Sequence, residues 1–263
     1  MRYQLLHIYG PFAIHSYGLC IALGLLIFII LVQYHPLFKK LQLQQKFLSI
    51  VVVGVLIGII GGRALHIMTE TDSLFDMYTW ISWWEGGYSI LGTVLALFLC
   101  LPLYLRCIQV PVLPFFDLIA LYTPLIQAIS RIGCFFAGCC HGMPTEVAWA
   151  VAYTDPLSMA PQYVLLHPTQ LYSAGVLFCM FLVFYFYVQY QVQYTGQLTS
   201  LYLIFEGAER FTIDFWRANR PMMGTIFSAD QYIAGGIIVL GCALLWYSTY
   251  YRRKQTAFLP SSP

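Results

Sequence analysis

Runs of about 20 apolar residues alternate with short polar stretches along the chain, and this alternation predicts membrane-spanning helices. Seven spans are expected: Phe12–Val32, Phe47–Met68, Ser89–Leu105, Phe116–Ala137, Leu171–Tyr187, Gln197–Trp216 and Gln231–Tyr250. The third is short and the sixth is polar. The first run exceeds a signal-peptide core of about 7–15 residues and no Ala-x-Ala site follows it, so it reads as a retained helix. No internal repeat or low-complexity tract interrupts the series. The expected fold is all-α, a polytopic integral membrane helix bundle forming a single membrane-embedded domain over residues 1–263.

Composition agrees. The chain is 60% hydrophobic and 9% charged, against about 25% charged residues in soluble domains. A net charge of +2 over 263 residues points to no nucleic-acid partner. Basic residues set the orientation. Lys39, Lys40, Lys46, Arg106, Arg252, Arg253 and Lys254 fall on one side of a seven-span chain, which is then cytoplasmic. The N-terminus is then outside, as is the loop from Thr69 to Gly87, with Glu70, Asp72, Asp76 and Glu85 but no Lys or Arg. Arg217 and Arg220 are basic yet external, an exception that asks for a local reason such as an anionic ligand.

Three spans carry charged residues. Arg131 ends the fourth, in Ser130-Arg131-Ile132-Gly133-Cys134-Phe135-Phe136-Ala137-Gly138-Cys139-Cys140-His141-Gly142. A charge at that depth costs about 2.5–3.5 kcal/mol on insertion scales and normally has a partner. It is either a structural clamp on helix-end carbonyls or the fork of an anion site. In the sixth span, Glu206, Arg210, Asp214 and Arg217 fall at about 0°, 40°, 80° and 20° on a helix, one narrow stripe. The stripe reads either as a register-fixing charged face or as a carboxylate-supported arginine that holds a phosphate. Arg63 in the second span either snorkels to the interface or joins Arg131. The glycine pair Gly54-x-x-x-Gly58 reads as helix packing.

His167-Pro168-Thr169-Gln170 opens the fifth span at the outer interface, and Tyr17 lies just below the outer surface in the first. Cys134, Cys139 and Cys140 cluster among eight cysteines. Their spacing is not that of a zinc knuckle, and adjacent cysteines rarely ligate one ion together. Packing or a disulfide is expected there, with no metal.

The chain resembles the bacterial prolipoprotein diacylglyceryl transferase family over nearly its whole length. The resemblance is carried by Pro11 with Ile14 and Tyr17-Gly18-Leu19, by Gly62-Arg63, by Glu85-Gly86-Gly87-Tyr88-Ser89, and by Arg131-Ile132-Gly133 with Gly138 and Gly142. His167-Pro168-Thr169-Gln170-Leu171-Tyr172, Arg210-Phe211 with Asp214, Phe215 and Arg217, and Ser228 with Gln231 complete it. It implies transfer of a diacylglyceryl group from phosphatidylglycerol to a lipobox cysteine thiol, with release of glycerol phosphate. The implied setting is the lipid bilayer of the bacterial inner membrane, at its outer leaflet. The implied partners are that lipid and the signal peptide of a prolipoprotein, with no cofactor.

The departures are specific. The family's signature reads Arg-Ile-Gly-Asn-Phe-x-Asn-Gly-Glu, and here Cys134 and Ala137 stand at the Asn positions and Cys139 at the Glu position. Leu91 stands where the family has a His, and Glu206 where it has a Tyr. With the family's help, Arg131 and Arg210 are expected to hold the phosphate, with Asp214 and Glu206 orienting Arg210. Tyr17 and His167 are expected on the thiol side. Gly133, Gly142, Arg63 and Gln170 complete the expected substrate-binding set. His66 and His141 are candidates for the base, since Leu91 cannot serve. Two other readings stay open. One is a related transferase using another lipid or acceptor. The other is a lipid-binding protein without turnover, which the changed positions favour and the retained Arg131, Arg210 and His167 disfavour.

Overall fold

A computed structural model describes residues 4–9, 12–70, 80, 89–218, 220–222 and 226–257. Two strands come first, β1 (Gln4–Tyr9) and β2 (Phe12–His15), paired antiparallel. The helices are α1 (Ser16–Tyr34), α2 (Pro36–Lys40), α3 (Phe47–Glu70), α4 (Ile90–Cys107), α5 (Val112–Ala137), α6 (Thr169–Val183), α7 (Gln197–Ile213) and α8 (Ala229–Ala257). Between α5 and α6 lie the short antiparallel strands β3 (Val151–Ala152) and β4 (Leu165–Leu166). A π-helical turn, Phe184–Val188, extends α6 toward Gln191.

Helix occupies the place of each of the seven expected spans. Among the described residues, five helices are long and apolar enough to cross a membrane: Ser16–Tyr34, Phe47–Thr69, Val112–Ala137, Thr169–Gln191 and Ala229–Tyr250. Gly92–Cys107 is a shorter apolar helix. In α1 the apolar side chains run all round, and Leu19, Leu23, Leu26 and Ile30 are exposed. That pattern fits a hydrocarbon surrounding and no aqueous one. The first span begins later than the apolar run suggests, because Phe12–His15 pair with Gln4–Tyr9 as a strand before helix starts at Ser16.

The chain divides into two compact units. In the unit of residues 35–115, α3 and α4 cross where both lack side chains. A β-carbon on Gly61 would lie 2.8 Å from the Gly92 carbonyl oxygen, and one on Gly92 would lie 2.4 Å from that of Gly61. Thr93 donates to the Gly58 carbonyl at 2.8 Å beside this crossing. The tightest contact therefore lies one turn beyond the Gly54–Gly58 pair. Arg63 is buried in this unit.

In the unit of residues 1–34 and 116–263, α1 meets α5 at Gly24 and Gly133, and α7 lies along α8 at Gly207 and Gly241. The buried Asp117 closes the start of α7: its carboxylate accepts from the Gly196 N–H, from the Thr199 N–H at 2.8 Å and from the Thr199 hydroxyl at 2.6 Å. An acid supplied by another helix thus caps the orphan N–H groups of α7. The segment between α5 and α6 folds on its own small core of Tyr153, Ala160, Val164 and Leu166.

Outside the described residues lie Pro11, the run 81–88 with Glu85, the acidic residues Asp72 and Asp76, and the side chains of Ile14, Glu70, Leu91, Arg252, Arg253 and Lys254.

Candidate active site

The last turns of α5, the loop behind it, the first turn of α6 and the end of α7 converge on one cleft. It is lined by Arg131, Cys140, Thr169, Gln170, Ser173, Glu209, Arg210, Ile213 and Arg217. Three guanidiniums therefore face one carboxylate. Ion pairs within 4.0 Å hold Arg210, Arg217 and Arg220 among the described residues, but not Arg131. The carboxylates that act on Arg131 are Glu209 and Glu206, and the Cys140 and Cys134 thiols lie near it. A cation so placed in a poorly solvated cleft attracts an anion with little screening.

Beyond Ala137 the backbone takes two left-handed steps, Gly138 at φ +76° and Cys140 at φ +56°. The second is an uncommon conformation for a residue with a β-carbon and costs about 1–3 kcal/mol. It is held from α6: the Thr169 hydroxyl donates to the Cys140 carbonyl at 2.9 Å, and the Gln170 amide donates to the Cys139 carbonyl at 2.8 Å. The turn brings the sulfurs of Cys134, Cys139 and Cys140 within 4.8 Å of one another. All three are free thiols, so of the two expectations, packing or a disulfide, no disulfide is formed. The facing thiols of Cys134 and Cys139, with the guanidiniums of Arg131 and Arg217, hold the Cys140 thiol below its ordinary range. Arg217 Nη2 lies 4.0 Å from Cys140 Sγ. Burial pushes the neighbouring Tyr153 hydroxyl up to about 12, where it donates to the Phe135 carbonyl at 3.0 Å.

The sixth-span stripe is shorter than the sequence suggests. The α-helix ends at Ile213, Asp214–Trp216 form a 3-10 turn, and Arg217 is extended, bridged to Gly142. Glu206 stays beside Arg210 at 3.9 Å and accepts from Gln127 at 2.9 Å. Asp214 does not orient Arg210. Its carboxylate turns to Arg220 at 3.1 Å, to Arg217 at 3.7 Å and to the Ser228 hydroxyl. The Asp214 N–H still donates to the Arg210 carbonyl, so it is the side chain that turns to the later loop. Arg217 also pairs with Asp230 at 2.7 Å, and Arg220 with Gln231 at 3.0 Å. These partners supply a local reason for the two arginines that the basic-residue pattern set apart.

Other expected residues fall in different places. Gln170 lines the cleft, is 1% exposed, and leaves its Oε1 buried without a partner. Tyr17 lies beside Ser130 and the three cysteines. Gly133 and Gly142 do not line the cleft. Gly133 lets α1 approach, since a β-carbon there would lie 2.9 Å from that of Cys20. A β-carbon on Gly142 would lie 2.5 Å from that of His167, and the Gly142 N–H donates to the His167 carbonyl at 3.0 Å. The His167 ring is engaged with the Tyr172 hydroxyl at 3.2 Å and is not part of the lining. His141 Nδ1 faces the Gly142 carbonyl oxygen at 3.1 Å. Arg63 and His66 belong to the other compact unit.

Sequence reasoning missed Glu209, which is 6% exposed, lines the cleft and accepts a short hydrogen bond from Ser173. The signal was a second carboxylate beside Arg210, but it lies about 60° off the stripe on the wheel.

Residues 4–247 match the family described as prolipoprotein diacylglyceryl transferase. The chain belongs to this family. A relative named phosphatidylglycerol--prolipoprotein diacylglyceryl transferase from Clostridium tetani is 31% identical over 243 residues, 92% of this chain and 95% of that one. One of the same name from Thermotoga maritima is 29% identical, over 88% of this chain and 80% of its own. A third from Clostridium perfringens, carrying the name with the suffix 2, is 29% identical over 97% and 99%. The matched residues include every element that lines the cleft. The apolar helices and the prolipoprotein diacylglyceryl transferase family together make this a multi-pass membrane protein.

Proposed function

We propose that this chain transfers the diacylglyceryl group of phosphatidylglycerol to the lipobox cysteine thiol of prolipoproteins, releasing glycerol phosphate. The observation that carries this reading is Arg131, which has no ion pair among the described residues and lines one cleft with Arg210, Arg217 and Glu209. A guanidinium so placed, beside two others that carboxylates hold, suits a phosphate inside a membrane protein. The names of the relatives supply the lipid and the acceptor.

In this mechanism the acceptor thiolate attacks a glycerol carbon of the lipid. The carbon–sulfur bond forms as the carbon–oxygen bond to phosphate breaks, and the electron pair leaves with the phosphate oxygen. Negative charge grows on the phosphate as the bond opens, where a planar guanidinium gives two donors as well as charge. Arg131 and Arg210 take that role, Glu206 and Glu209 hold them, and Tyr17 lines the thiol side. Gln170 acts by fixing the Cys139 carbonyl in the cleft wall. The acceptor enters as the signal peptide of a prolipoprotein. The setting is the bacterial inner membrane, with the N-terminus periplasmic, the C-terminus cytoplasmic and the cleft toward the outer leaflet.

The test is incubation of purified protein with phosphatidylglycerol and a lipobox peptide, assayed for glycerol phosphate and for the mass of the lipidated peptide. Both products are expected. Lipid binding without either product would leave a binding protein in place of a transferase.

A further inference from the structure

The spacing of Cys134, Cys139 and Cys140 argues against a shared ion, yet the fold gathers all three sulfurs within 4.8 Å of one another. Three thiolates on one zinc-sized ion at about 2.3 Å stand about 3.8–4.0 Å apart, so a small contraction closes the set. Packing alone does not require the sulfurs to meet. Here they meet because Gly138 and Cys140 both take left-handed backbone, and because Thr169 and Gln170 clamp the two carbonyls of the turn. Cys134 is buried, and the other two are half-buried.

We propose that Cys134, Cys139 and Cys140 form a three-thiolate site for a divalent cation of the zinc class, whose open position takes the thiol of the acceptor peptide. An all-sulfur donor set selects soft and borderline ions and rejects magnesium and calcium. Three protein ligands and one open position are the pattern of catalytic zinc. Three thiolates on a divalent cation leave a net negative charge, and the guanidiniums of Arg217 and Arg131 stand beside it. Cys140 lines the same cleft as Arg131 and Arg210, so the open position and the anion site share one space.

The role of the open position rests on the transferase reading. A thiol that binds such an ion is deprotonated outright. Its proton goes to water, and its sulfur attacks the glycerol carbon. The carbon–oxygen bond breaks with its electron pair passing to the phosphate oxygen, and glycerol phosphate leaves. Nothing is oxidised, and no side chain is needed as a base.

The experiment uses full-length protein purified in detergent with reductant and without chelator. Metal analysis is expected to give about one zinc per chain, and metal affinity to fall at least roughly 10–100-fold in Cys139→Ser and Cys140→Ser. Cobalt(II) loaded into the wild-type chain is expected to give a sulfur-to-cobalt charge-transfer band, which needs no variant to fold. Its ligand-field bands are expected to shift on adding the lipobox peptide and not on adding the same peptide with serine for cysteine. Absence of the charge-transfer band overturns the site, and bands unmoved by saturating peptide overturn the role of the acceptor thiol. Glycerol phosphate release by metal-free protein overturns this inference and leaves the transferase reading standing. Bound metal without any release overturns the transferase reading and leaves the site.

Discussion

The carboxylate of Asp214, 1% exposed, meets the guanidinium of Arg220 at 3.1 Å and so ties the end of α7 to the loop before α8. It also takes the Ser228 hydroxyl and faces Arg217. Asp214 is therefore a structural counter-charge. Asp214→Asn is expected to lower stability by about 1–3 kcal/mol, since buried partners lose a charge-assisted acceptor. Thermal unfolding in detergent reads this directly. Activity per folded molecule should fall much less than for a change at Arg131.

Gly142 and Gly175 form a matched pair. A β-carbon on Gly142 would stand 2.6 Å from the His167 carbonyl oxygen, whereas one on Gly175 would meet nothing within 4 Å. Gly142→Ala should cost about 1–3 kcal/mol by overpacking and displace the segment that carries Thr169 and Gln170. Gly175→Ala should be neutral or stabilising by up to about 1 kcal/mol. Paired unfolding curves and glycerol phosphate assays check both.

Among the described residues, Glu209 is the one carboxylate in the lining of the cleft. Glu209→Gln should leave the guanidiniums holding anions more tightly. Removing a unit charge about 5 Å away at an effective dielectric of about 20 is worth a few kcal/mol before screening. Added glycerol phosphate is expected to half-inhibit at a concentration lower by roughly tenfold or more. An unchanged inhibition constant would remove Glu209 from the anion site.

The orientation proposed from the basic residues puts Arg252, Arg253 and Lys254 in the cytoplasm. A phosphatase fused after Lys254 should stay inactive, and a fluorescent protein that matures only in the cytoplasm should light up. The reverse pattern would invert the proposed topology.

The apolar runs gave away the helices because length and hydropathy suffice to mark a span. Their ends were less legible. Phe12–His15 belong to a hairpin whose partner strand lies earlier in the chain, and the sixth span stops at Ile213 although apolar residues continue. Arg131 and Arg210 could be picked out as charged groups in apolar spans and Gln170 through the family resemblance, and the structure brings the three to one cleft. The meeting of the three sulfurs could not, because it depends on two left-handed residues and on clamps from another helix. The partners of Asp214 were not legible either, because Arg220 and Ser228 reach its carboxylate from the loop that follows the helix.

The central claim is that Arg131 and Arg210 clamp the phosphate of the lipid as it leaves. Lysine keeps the charge but not the planar fork, and losing a donor to developing charge costs on the order of 10²–10³ in rate. The decisive measurement is glycerol phosphate release by folded Arg131→Lys, Arg210→Lys and the double variant. Each single change should lose about 10²–10³-fold, and the double less than the product, because groups acting on one phosphate are not additive. Wild-type rates in folded Arg131→Lys and Arg210→Lys would contradict the clamp.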